Sequence, residues 1–196
     1  MPPTTISRDP KTKGADGVQR FLACSHIFSS AVRDNLEDRL ISEVSRHSLS
    51  RTQFRLLRLV AGNGEPQVGE LASVLGVSPA AASKHLDALE RLRLVRRESS
   101  PRDRRATLLA ASAEGKRLVR EYERLLEQRL GPVIDSLGRE RAAELCSMLE
   151  QVYLQLLQSD SEQGGSCLRC GGFFLPSCAV EGLLGRCPNR RREERA

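Results

Sequence analysis

The chain has 196 residues, 39% hydrophobic and 29% charged, which suits one folded domain with appendages. Aromatic residues make up only 4% and Trp is absent, arguing for packed helices and against a sheet sandwich. A formal net charge of +6 at pH 7 points to an anionic partner, and the sequence holds no apolar run long enough to cross a bilayer.

Residues 1–17 mix Pro, Gly, Thr and Lys without periodicity and read as a flexible arm. They lack the apolar stretch of a signal peptide, so a cytoplasmic protein is expected. From Val18 the pattern changes. Val18, Phe21, Leu22, Phe28, Val32, Leu36, Leu40 and Val44 recur at three- and four-residue intervals and predict one long amphipathic helix ending near His47. The stretch "LSRTQFRLLRLVAGNGEP" predicts a second helix with Phe54, Leu57 and Val60 on its inner side, stopped by the Gly-Pro cluster.

In "QVGELASVLGVSPAAASKHLDALERLRLV" a short helix around 70–75 is stopped by Gly76, and a second starts at a Ser78 cap with Pro79 in its first turn. Two helices around a tight Gly-containing turn make a helix-turn-helix. The following "LVRRESSPRDRRATLLAAS" places strand-prone edges around a polar loop, the pattern of a β-hairpin and, in this position, of a wing. Two further long helices are predicted, from Ala113 to about Asp135, bent at Gly131 and Pro132, and from Gly138 to about Gln158. The domain therefore spans 18–158; 159–166 is a linker, and 167–196 a cysteine-rich tail.

In the helix that begins at Pro79, Ala82, Leu86 and Leu89 fall on one face and seat it in the core. Behind the Ser78 cap, the small side chains of Ala80 and Ala81 let the helix press into a major groove, where Lys84 and His85 reach base acceptors or phosphates. The wing carries Arg96, Arg97, Arg102, Arg104 and Arg105 against Glu98 and Asp103, a balance suited to a minor groove. Each element alone is common on proteins that never meet DNA; their ordered combination is far more specific.

From about Phe21 to Leu157 the chain resembles the MarR family of winged helix-turn-helix regulators, on "LSRTQFRLLRLV", "VGELASVLGVSPAAASKHLDALERLRLVRR" and "RDRRATLLAASAEGK" in that order. The resemblance implies a mainly α winged helix-turn-helix fold with long N- and C-terminal dimerisation helices. It further implies a homodimer that regulates transcription, most often by repression, at a pseudo-palindromic double-stranded DNA site. By it Asp103 braces the wing while Arg104 or Arg105 enters the minor groove, and a small-molecule effector, in relatives often an aromatic acid, binds between dimer body and head. The chain departs from the family at Ser100, where an acidic residue is usual, and at Ala111-Ser112 in place of Leu-Thr; Ser112 retains the ability to cap. Independently of the resemblance, the Leu-rich terminal helices cannot all bury their apolar faces against so small a head, which also favours dimerisation.

Four of the six cysteines, Cys167, Cys170, Cys178 and Cys187, stand in the tail at C-x2-C-x7-C-x8-C spacing. The "CLRCGG" portion resembles a zinc knuckle, and the looser second half keeps an iron-sulfur cluster and reversible disulfides open beside zinc, which is favoured. Such a metal either stiffens the tail or senses metal or redox state. Cys24 and Cys146 are expected to be inert small apolar residues, and His26 and His47 structural or surface groups. Phosphate-cradling glycine loops, a His-Glu zinc-hydrolase motif and a nucleophile with its base are all missing, so an enzyme is not expected. The rival reading is a helical scaffold with a zinc-stabilised tail that does not bind DNA.

Overall fold

The computed structural model describes residues 14–62, 68, 71–72, 77–99 and 107–158. The chain divides into two compact units, Met1–Arg39 and Leu40–Ala196.

In the first unit, α1 spans Gly14–Ser30 and is followed by a π-helical stretch, Ala31–Asp38. Helix thus begins at Gly14, ahead of the expected Val18. The predicted apolar stripe is present, but Val18, Phe21, Leu22 and Phe28 are exposed along it, as is Ile27.

Helix α2 (Arg39–Val44) ends earlier than predicted. The chain turns instead at Ser45, whose hydroxyl accepts the His47 N–H at 3.1 Å. Helix α3 (Arg51–Gly62) opens on a capping box: Ser50 Oγ accepts the Gln53 N–H at 3.2 Å, and Gln53 Oε1 accepts the Ser50 N–H at 2.8 Å. Phe54, Leu57 and Val60 face inward as the spacing predicts. Leu56, Leu59 and even Arg58 are buried too, because α3 packs against the helix Pro79–Arg91, the strand Thr107–Ala111 and the long helix Ala113–Leu137.

Helix α4 (Pro79–Arg91) leads into a two-stranded antiparallel hairpin, β1 (Val95–Ser99) and β2 (Thr107–Ala111), in the register Val95↔Ala111 and Arg97↔Leu109. Of the helix predicted before α4, Leu71 and Ala72 are described; both are helical and buried. Helix α5 (Ala113–Leu137) runs on through Pro132, and α6 (Arg139–Gln158) follows Gly138, which takes a positive φ of 81°. The core of this unit gathers Leu40, Phe54, Leu57, Leu71, Leu86, Leu89, Leu94, Leu109 and Leu118, with the Phe54 and Tyr122 rings 4.7 Å apart at a tilt. Toward their far ends, α5 and α6 leave Leu130, Val133, Ile134, Leu137, Leu145, Met148, Leu149 and Leu156 exposed.

Candidate nucleic-acid interface

Helix α4 forms because its start is doubly fixed. Ser78 Oγ accepts the Ala81 N–H at 3.2 Å, and Pro79 supplies a preset φ where no backbone donor is needed. Its end is fixed by a Schellman turn: the Arg93 N–H reaches the Glu90 carbonyl at 2.8 Å, and the Leu94 N–H reaches the Leu89 carbonyl at 3.0 Å. Leu89 and Leu94, the residues that usually meet across such a turn, are both fully buried.

Between these ends the helix presents three kinds of surface, as its period of 3.6 residues requires. Ala82, Leu86 and Leu89 are buried against the core. Opposite them Ala80, Lys84 and Arg91 are exposed. One flank carries Ala81, His85 and Ala88, all half-buried. The other carries Ser83, Asp87 and Glu90, and sequence reasoning missed its role. Arg97 on β1 reaches across to it, with Nη2 bound to Asp87 Oδ1 and 3.4 Å from Ser83 Oγ, and Nη1 3.4 Å from Glu90 Oε2. A signal was available: two carboxylates one turn apart, on a helix expected to meet DNA, call for a cation nearby.

Two of the wing's five arginines are engaged within the protein. Arg97 is committed to α4, and Arg96 is paired with Glu98 on its own strand, so neither is an unengaged cation. Arg102, Asp103, Arg104 and Arg105 lie outside the described residues, as do Cys167, Cys170, Cys178 and Cys187. Among the described residues no group of three or more His, Cys, Asp or Glu side chains could hold a metal ion. Cys24 and Cys146, expected to be buried apolar residues, are both exposed. They sit on helices whose apolar stripes this single chain leaves uncovered, so helical position did not translate into burial. His26 and His47 are exposed, as expected.

The base of the head is anchored through α5. Ser112 Oγ accepts the Gly115 N–H at 3.0 Å and so caps that helix despite the departure from Leu-Thr. Deeper in, the buried Arg58 side chain lies 5.5 Å from the Tyr122 ring centre and 3.6 Å from Glu123 Oε1.

Comparison with known proteins agrees with this geometry. Residues 47–106, which include α3, α4 and β1, match the model of the MarR family. The HTH-type transcriptional regulator MhqR of Bacillus subtilis is 24% identical over 132 residues, covering 67% of this chain and 90% of that protein. FarR of Neisseria gonorrhoeae, another HTH-type transcriptional regulator, is 27% identical over 109 residues, covering 56% and 75%. Among solved structures, Streptococcus pneumoniae FabT in complex with DNA superposes with a TM-score of 0.62 at 19% identity, over 71% of this chain and 99% of that one. Residues 47–106 are thus similar to the MarR family, and the chain has a winged-helix fold like that of FabT.

Proposed function

We propose that the protein is a sequence-specific, DNA-binding transcriptional regulator, acting as a homodimer on a pseudo-palindromic site and repressing by occupying it. The observation that carries this reading is the outer surface of α4. It stands opposite the core face, it is small at its N-terminal end (Ala80), and it is basic further along (Lys84, Arg91). A helix with that profile fits a major groove roughly 12 Å wide, with a hairpin at its side to engage the adjacent minor groove. Two-fold symmetry would set half-sites about 34 Å apart. The exposed apolar residues of α1, α5 and α6 support a second copy as the partner that covers them. That relatives of this type are named as transcriptional regulators, and that one was crystallised with DNA, supports the same reading.

The test is titration of a duplex, selected from a random library, over a range of salt concentrations. Lys84→Ala should weaken binding and lower the salt slope by about 1, as loss of one phosphate contact requires. Arg104→Ala with Arg105→Ala should weaken it further. A helical scaffold would show no sequence preference, and neither substitution would matter.

The four tail cysteines are assigned to a metal, zinc first and an iron-sulfur cluster second, on their number and on the "CLRCGG" spacing. Metal analysis and an absorption spectrum of anaerobically purified protein separate the two, and Cys170→Ser should release the metal. Such a site, or a small-molecule effector, would make DNA binding responsive to conditions.

A further inference from the structure

Strand β1 leaves the Schellman turn with Val95 buried, and alternation along the strand brings Arg97 to the same face as Val95, opposite Leu109. Arg97 thus stands at the middle of β1, on the face that Val95 buries at the strand's start. Although Arg97 is exposed, its guanidinium is engaged within the protein. It spans a stripe of α4 made by Ser83, Asp87 and Glu90, which are spaced four and three residues apart and so lie on one side of the helix. A planar guanidinium that engages two carboxylates through different nitrogens fixes orientation as well as distance.

Resting on the DNA-binding reading, we propose that Arg97 is a positioning residue: it locks the wing hairpin to the recognition helix, so that the two insert into adjacent grooves as one rigid reader. The tie has a second consequence. Asp87 and Glu90 border the surface offered to DNA, and unpaired they would repel phosphate; paired with Arg97 they are neutralised and turned toward the hairpin. Arg97 therefore acts on DNA through its neighbours and not by its own contact.

Two variants test this from opposite sides of the tie. Arg97→Ala removes the cation, whereas Asp87→Asn with Glu90→Gln removes its partners and leaves the Arg97 charge in place. The readout is a footprint on the duplex selected by the wild-type protein: hydroxyl-radical protection reports the minor groove, and protection of guanine N7 from methylation reports the major groove. Both variants should lose minor-groove protection while keeping major-groove protection, and Arg97→Ala should lose at least tenfold in affinity. If the Asn/Gln variant keeps the full footprint, Arg97 is a direct phosphate contact or has no role, and the proposal fails. Equal loss in both grooves would also overturn it, as the mark of general destabilisation. Should Arg97→Ala fail to fold, the Asn/Gln variant, altered only at partly exposed side chains, carries the test alone. A wild-type protein that protects no sequence removes the DNA-binding reading itself, an outcome visible before any variant is made.

Discussion

The Leu94 carbonyl accepts the Ser112 N–H at 2.9 Å, and the same carbonyl lies where a Cβ on residue 115 would stand. This single oxygen joins the foot of the hairpin to the start of α5 and makes glycine the only residue that fits at 115. The Leu57 Cδ1, 3.0 Å from the same point, closes the other side. Gly115→Ala should therefore cost about 1–3 kcal/mol, as overpacking a close contact does, in spite of the higher helix propensity of Ala. Denaturant unfolding of the two proteins checks it; an unchanged or raised midpoint would mean that α5 can shift without penalty.

Arg93 holds a φ of 57° at the end of α4, the left-handed conformation that glycine adopts without a Cβ penalty. Its side chain is exposed, so nothing is lost by removing it. Arg93→Gly should raise stability by about 0.5–1 kcal/mol while the turn to β1 keeps its hydrogen bonds. Thermal unfolding provides the measurement, and a fall in the midpoint would show that the strain is absorbed elsewhere.

Acid should weaken the protein partly through α5. Arg117 donates to both oxygens of Glu114 at 2.7–2.8 Å, and Arg124 does the same for Glu121 at 2.6–2.9 Å. These guanidinium hydrogen bonds hold both carboxyls below the usual value of 4.5. A carboxyl lowered by folding contributes stability that is complete above its unfolded value and is lost as pH falls through the folded one. Stability from this source should stay level from about pH 7 to 5 and decline below about 4.5. Both pairs are exposed, so molar salt should shrink the effect. Comparing wild type with Glu114→Gln plus Glu121→Gln across that range should show a shallower acid decline in the variant; parallel curves would count against it.

Much of the head is legible in the sequence because its signals are local. The Ser78-Pro79 start, the Ala82, Leu86 and Leu89 stripe, the hairpin and the Ser112 cap each follow from a few neighbouring residues, and each is found where expected. What escaped depends on distant partners. Arg58 reads as a surface residue until α5 brings Tyr122 and Glu123 beside it. Arg97 is only one of five wing arginines in the sequence, and its partners Asp87 and Glu90 become visible once the hairpin folds back on α4. Cys24 and Cys146 fail for the converse reason: an apolar stripe predicts a buried face, but a single chain need not be what buries it.

That last point leads to the oligomer. On α6, Leu145, Met148, Leu149 and Leu156 recur at helical spacing, and Met148 is 50% exposed in the isolated chain. Since Met148 packs little within its own chain, Met148→Glu should leave helix content and the winged head intact. A buried charge in the proposed dimer interface, by contrast, would carry a penalty of several kcal/mol. Sedimentation should show the variant as a monomer at concentrations where the wild type is dimeric. Its affinity for a two-half-site duplex should fall by about 10²-fold or more, since each head would then bind without the effective concentration supplied by its twin. A variant that remained dimeric, with full affinity, would place the pairing surface away from this face of α6.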